Sequence, residues 1–133
     1  MIKRVLGTTL SVCIAVSLFG CKSDSVDTLL GSYGAQQNGK IQPVVKVEKT
    51  NAGYVFDDYV NGNWRTGTEV AEPMTKEDFE KLTGAHVSGE FVALKTKAAL
   101  VAKVPAGFQS GKFKTSTGYM LIFMFGPVEL TKL

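Results

Sequence analysis

Few side chains in this 133-residue sequence could carry catalytic or metal-binding chemistry. The chain has one histidine, His86, and two cysteines, Cys13 and Cys21. A His/Cys zinc site needs more such ligands, and a Cys–His nucleophile pair needs a free thiol in the folded domain. A Ser–His–Asp triad needs only one histidine, but the sequence has no Gly-x-Ser-x-Gly elbow. We therefore expect His86 to be a loop or surface residue.

The carboxylates also lack a catalytic arrangement. Asp57 and Asp58 are adjacent, and adjacent residues of a strand point to opposite faces of the sheet, so we interpret them as solvated charges near a turn. No phosphate-binding glycine loop, calcium loop or dinucleotide fingerprint is present in the sequence. We therefore expect no enzyme activity, no cofactor and no metal site.

Cys21 is the residue with the most specific chemical context. Lys3 and Arg4 precede an uncharged run, residues 5–20, that ends directly before Cys21. A basic start followed by an apolar run is typical of a secretory signal peptide. The run has 16 residues, whereas a membrane-spanning helix needs about 20. The sequence therefore predicts export.

The end of this segment resembles the lipobox of bacterial lipoprotein signal peptides, which reads Leu-x-Gly/Ala-Cys. Leu18, Gly20 and Cys21 match it, and Phe19 stands where a small residue is usual. The resemblance implies cleavage after Gly20, a thioether-linked diacylglycerol on Cys21 and acylation of the new amino terminus. Several acyl chains together would anchor the protein stably in the membrane. In the alternative interpretation, Cys21 is simply a small residue after an ordinary cleavage site.

The predicted organisation is a signal peptide over residues 1–20, a lipidated cysteine and polar tether over 21–28, and one domain over 29–133. In Gram-negative lipoproteins an aspartate after the modified cysteine favours retention in the inner membrane. Lys22 stands there, so the resemblance implies a lipid anchor in the outer membrane if the source is Gram-negative, and it favours the periplasmic face. The mature chain would have 13 basic and 12 acidic residues, so we expect no nucleic-acid partner.

The mature sequence predicts a mainly β domain, a small antiparallel meander that closes into a barrel or packs as a sandwich. Turn signals recur about every 8–12 residues, and Asn38-Gly39 and Asn61-Gly62 favour type I′ hairpin turns. One short helix is predicted over residues 75–83, with Thr75 as the N-cap and with Phe79 and Leu82 on its inward face.

Residues 119–125 form the most apolar run of the mature chain. We interpret the run as a strand buried on both faces, with Val128 and Leu130 in the strand that pairs beside it. In the alternative interpretation, one face stays exposed and binds lipid or a partner, because large exposed apolar patches usually mark interfaces.

Two groups of side chains are candidates for binding a partner. An aromatic group surrounds the second hairpin turn, and a lysine pair flanks Phe113. Both have structural alternatives, which are cross-strand packing for the aromatic group and protection of an edge strand for the lysines. The candidate residues are Tyr54, Tyr59, Trp64, Arg65, Lys112 and Lys114.

These observations lead to two hypotheses about function. The first is a non-enzymatic lipoprotein of the cell envelope that binds another envelope protein, for example as an inhibitor of a lytic enzyme or as an immunity protein against a toxin. The alternative is a carrier or sensor of a small apolar ligand that occupies a barrel interior. An enzyme ranks third, since His86 has no catalytic partner in the sequence.

Overall fold

The computed structural model describes residues 26–133. The predicted signal peptide, Cys21 and most of the predicted tether lie outside these residues. Within residues 31–133 the chain forms eleven strands and a helix, α1 (Lys76–Thr83), which lies between β5 and β6. The strands are β1 (Gly31–Gln37), β2 (Lys40–Thr50), β3 (Gly53–Val60), β4 (Asn63–Arg65), β5 (Val70–Pro73), β6 (Val92–Lys95), β7 (Ala99–Lys103), β8 (Phe108–Ser110), β9 (Phe113–Thr115), β10 (Tyr119–Phe123) and β11 (Gly126–Lys132).

Eight of these strands form a closed antiparallel barrel. Their order is β2-β1-β11-β10-β7-β6-β5-β3, and the pairing of β2 with β3 closes the ring. Strand β4 extends the sheet as the hairpin partner of β3, and β8 and β9 form a separate two-stranded ribbon. The predicted fold class is confirmed, and of its two forms the barrel is the correct one.

Two hairpin turns follow the local sequence directly. Asn38 and Gly39 have φ angles of 51° and 79°, and Asn61 and Gly62 have 51° and 81°. A type I′ turn needs positive φ at both central residues, which asparagine and glycine tolerate best. These turns set the register of the β1–β2 and β3–β4 hairpins.

Large apolar side chains fill the inside of the barrel. An eight-stranded barrel is just wide enough for side chains to fill it. Tyr33 is fully buried there, and its hydroxyl donates to the backbone carbonyl of Leu29 at 2.7 Å. The other buried members of this cluster are Val45, Val47, Ala71, Leu94, Val101 and Leu130.

The segment before β1 covers one end of the barrel. Val26 packs against the interior cluster, and Leu29 belongs to it. The ammonium of Lys132, near the end of β11, donates to the carbonyl of Thr28 at 3.1 Å. The chain therefore contacts the barrel before Leu29, the residue at which the sequence predicts that the domain begins.

A second apolar cluster lies on the outside of the barrel. Alternate residues of β6, β7 and β10 point away from the interior, and Phe79 of α1 covers them together with Phe108 and Phe113 of the ribbon. The predicted helix is confirmed over Lys76–Thr83, and the Thr75 hydroxyl accepts from the Asp78 amide at 3.1 Å. The inward position predicted for Leu82 is wrong, because Leu82 is 59% exposed.

The apolar run of residues 119–125 divides into two parts. Strand β10 covers Tyr119–Phe123, with Leu121 packed against the interior cluster and Met120 in the outer one. Both faces of this part pack against apolar clusters, as the preferred interpretation predicts, although only Met120 is fully buried. Met124 and Phe125 instead form the turn to β11 and are 87% and 85% exposed.

Candidate functional site: the β10–β11 turn

The aromatic residues predicted to bind a partner do not form one group. Tyr59 and Trp64 are a cross-strand pair of β3 and β4, with ring centroids 5.0 Å apart in an edge-to-face arrangement. The Arg65 guanidinium lies 3.1 Å from the Asp58 carboxylate, and the pair is exposed. The contact between the two rings is the cross-strand packing that sequence analysis gave as the structural alternative.

Tyr54 lies elsewhere, beside the segment that covers the barrel end. Its hydroxyl donates a short hydrogen bond to Asp27, and the Lys49 ammonium lies 3.5 Å from the same carboxylate oxygen. The hydrogen bond from Tyr54 lowers the pKa of Asp27 below its usual value. Tyr54 therefore holds the N-terminal segment of the domain in place.

The two predicted lysines lie together on the β8–β9 ribbon. Lys112 is in the ribbon turn, with its ammonium 5.5 Å from the Phe113 ring centroid, and Lys114 is in β9. Both line an open groove of about 430 Å³ between the ribbon and β11. Glu129 also lines this groove, so its charge is mixed.

Glu129 fixes the connection from the ribbon to β10. Its Oε2 accepts from the Ser116 hydroxyl at 2.6 Å and from the Ser116 and Thr117 amides at 2.5 and 3.2 Å. These hydrogen bonds favour the carboxylate and lower the pKa of Glu129. These three hydrogen bonds stabilise the turn, so they explain the position of Glu129 without a ligand.

The paired aspartates occupy opposite environments. Asp58 is exposed, whereas Asp57 is only 1% exposed and accepts from the Gly67 amide at 3.2 Å. The prediction that they face opposite sides is confirmed, but Asp57 is not solvated, because the chain near Gly67 covers it. A hydrogen bond to Asp57 raises the pKa of Glu48, which lies on the neighbouring strand.

His86 is a surface residue, as expected. Its Nδ1 lies 3.1 Å from Oε2 of Glu80, which also accepts from the Val87 amide at 2.7 Å. No group of three or more His, Cys, Asp or Glu side chains that could hold a metal ion occurs in the part of the chain that the structure describes. In the same part, no helix is long and apolar enough to cross a membrane.

The β10–β11 turn was not among the predicted site residues, although exposure of part of the 119–125 run was the alternative interpretation. The rings of Phe123 and Phe125 meet edge to face, with centroids 5.5 Å apart, while Phe125 stays exposed. Next to the turn lies an open groove of about 450 Å³, here called the turn groove. It is lined by Met74, Leu82, Lys95, Thr96, Lys97, Ala98, Ala99, Leu100, Ile122, Phe123 and Met124.

This surface is unusual for a small folded domain. Single exposed apolar residues are common, but a contiguous exposed patch usually marks an interface. Among residues 26–132, Met124, Phe125 and Leu82 are the three most exposed large apolar residues, and Met124 and Leu82 line the turn groove. The length of the apolar run was a usable signal, because its seven residues exceed the five that strand β10 contains.

The turn lies at the end of the barrel opposite the N-terminal segment. Tyr119 begins β10 close to Tyr33, with ring centroids 5.2 Å apart, at the end that Val26–Leu30 covers. Phe123 ends β10, and at about 3.3 Å per residue it lies roughly 13 Å further along the strand. Met124 and Phe125 therefore project from the far end.

Comparison with known proteins gives no relative from which to transfer a function. No protein-family model, curated protein or solved structure matches the chain.

Proposed function

We propose that this protein is a lipid-anchored protein of the cell envelope that binds another protein without enzymatic activity. In this proposal Cys21 carries the lipid, and the β10–β11 turn is the binding surface. The observation that carries it is the exposure of Met124 and Phe125 at the end of the barrel opposite the start of the domain.

The placement of the two ends supports this division of roles. A chain anchored through Cys21 enters the barrel at the covered end, so the far end is directed away from the anchoring membrane. Exposed Phe and Met side chains are enriched at protein interfaces. An inhibitor of a lytic enzyme or an immunity protein against a toxin would use such a surface to cover its target.

The alternative of a small apolar ligand inside the barrel has less support. The interior positions hold large side chains, among them the fully buried Tyr33, Leu94 and Leu130. A ligand there would have to displace part of this packing, which is costly in a close-packed core.

A labelling and capture experiment tests the proposal. Cells that express the wild-type chain or Cys21→Ser are fed a palmitate analogue, crosslinked and solubilised in detergent. We expect label on the wild type alone, and one enriched envelope protein recovered with it. An unlabelled wild type would refute the anchor, and recovery of no protein above an empty-vector control would refute the binding role.

A further inference from the structure

The turn groove has a distinct chemical character. Its walls are mainly apolar, and its charged lining residues are Lys95 and Lys97. Neither ammonium forms a salt bridge with any residue in the 26–133 range that the structure describes. The groove therefore offers two free positive charges beside an apolar surface.

Two carboxylates lie near these lysines. Glu72 is the register partner of Lys95 in the β5–β6 pair, and Glu69 accepts from the backbone amide of Lys97 at 2.8 Å. Both glutamates line a neighbouring hollow that Lys95 and Lys97 also line, but neither glutamate lines the turn groove. They lower the net charge of the region, but the lining of the turn groove contains two lysines and no carboxylate.

We propose, building on the proposed function, that the turn groove binds a partner segment in which apolar side chains are flanked by carboxylates. The apolar side chains contact Met124, Phe125 and Leu82, and the carboxylates contact Lys95 and Lys97. Complementary charges at an interface select the partner and fix its register more than they add affinity.

A protein segment fits this surface better than a membrane does. The groove is concave and bounded by the turn, the loop after β6 and Leu82 of α1, whereas a bilayer surface is flat. The groove also lies at the end of the barrel away from the expected lipid anchor.

A peptide selection with a charge reversal tests the inference. The full chain, in nanodiscs of neutral phosphatidylcholine, is screened against a displayed random-peptide library in three forms. These are the wild type, Lys95→Glu/Lys97→Glu, and Met124→Ser/Phe125→Ser. We expect wild-type peptides to combine apolar residues with Asp or Glu, and the charge-reversed form to select Lys and Arg instead.

Binding of the selected acidic peptides should weaken about five- to ten-fold on the charge-reversed form, since exposed ion pairs contribute little individually. It should disappear on the Met124→Ser/Phe125→Ser form. The inference would be overturned if the peptides selected on the wild type and on the charge-reversed form contained equal amounts of Asp and Glu. In that case, capture of an envelope protein in cells would still support the proposed function. A vesicle assay tests the membrane alternative with the unlipidated Cys21→Ser protein and with Cys21→Ser that also carries Met124→Ser/Phe125→Ser. If the first binds vesicles of phosphatidylcholine and phosphatidylglycerol and the second does not, the surface binds membrane and the inference is overturned.

Discussion

At the residue scale, stability depends on a few polar side chains that hydrogen-bond to the backbone of another segment. Glu129 joins β11 to the turn before β10, and the Tyr33 hydroxyl joins the barrel interior to the segment that covers it. The role of Glu129 does not follow from the sequence, because only the fold brings it close to Ser116 and Thr117, 13 and 12 residues away. Tyr33 lies only four residues from Leu29, but its burial depends on the closed barrel.

Glu129→Gln should lower the free energy of unfolding at pH 7 by about 1 kcal/mol. The effect is small because the side chain is exposed and water screens its charge. The pKa of Glu129 is lowered below its ordinary value of 4.5 in the folded state. Its contribution is therefore complete above that value and is lost as the pH falls through the lowered pKa.

Urea denaturation between pH 7 and about pH 3 would measure this effect. Wild type should lose more stability than Glu129→Gln over the acidic part of that range. Glu72→Gln, an exposed carboxylate on β5, is the control and should behave like the wild type. A parallel pH dependence of wild type and Glu129→Gln would contradict this role of Glu129.

Tyr33→Phe should cost about 1–3 kcal/mol, because it removes the donor to the carbonyl of Leu29 in a buried site. Tyr59→Phe removes a hydroxyl from a partly exposed ring and should change stability by no more than about 0.5 kcal/mol. Thermal unfolding of the two variants checks the difference. Equal losses would show that the Tyr33 hydrogen bond adds nothing.

At the element scale, the sequence predicted correctly those turns and helix ends that depend only on neighbouring residues. The Asn-Gly turns and the Thr75 N-cap depend on residues within a few positions of each other, and the structure has them. The exposures of Leu82 and Asp57 depend on which distant segment covers them. Helical spacing placed Leu82 beside Phe79, but the outer cluster of the barrel covers only Phe79.

The two helix residues give a matched test of this point. Phe79→Ala should destabilise the protein by about 3–5 kcal/mol, because it opens a cavity in the outer cluster. Leu82→Ala should change stability by no more than about 0.5 kcal/mol. Urea denaturation of both variants measures the difference, and a large loss for Leu82→Ala would place that side chain in the core.

At the scale of the whole molecule, the two ends of the barrel carry different features. One end receives the N-terminal segment, and the other end presents the β10–β11 turn and the turn groove. The mainly β class could be predicted from turn spacing. Closure of the barrel could not, because β2 and β3 can pair only when the other six strands have brought them together. The candidate binding residues Tyr54, Tyr59, Trp64, Arg65, Lys112 and Lys114 remain predictions, and the structure distributes them over three separate places.

Because the turn residues are exposed, Met124→Ser/Phe125→Ser should leave folding intact. We expect an unchanged circular dichroism spectrum and a change in stability of no more than about 0.5 kcal/mol. A large loss of stability would mean that the turn contributes to the core and not to binding. This variant therefore separates loss of binding from loss of fold.

Site-specific photocrosslinking in cells tests the central claim most directly. A photoreactive amino acid is placed at Phe125 in the β10–β11 turn, and at Gln37 in the exposed β1–β2 hairpin as the control. We predict a discrete adduct with one envelope protein from position 125 and none from position 37. Adducts of equal yield from both positions, or adducts with lipid alone from position 125, would contradict a protein-binding turn.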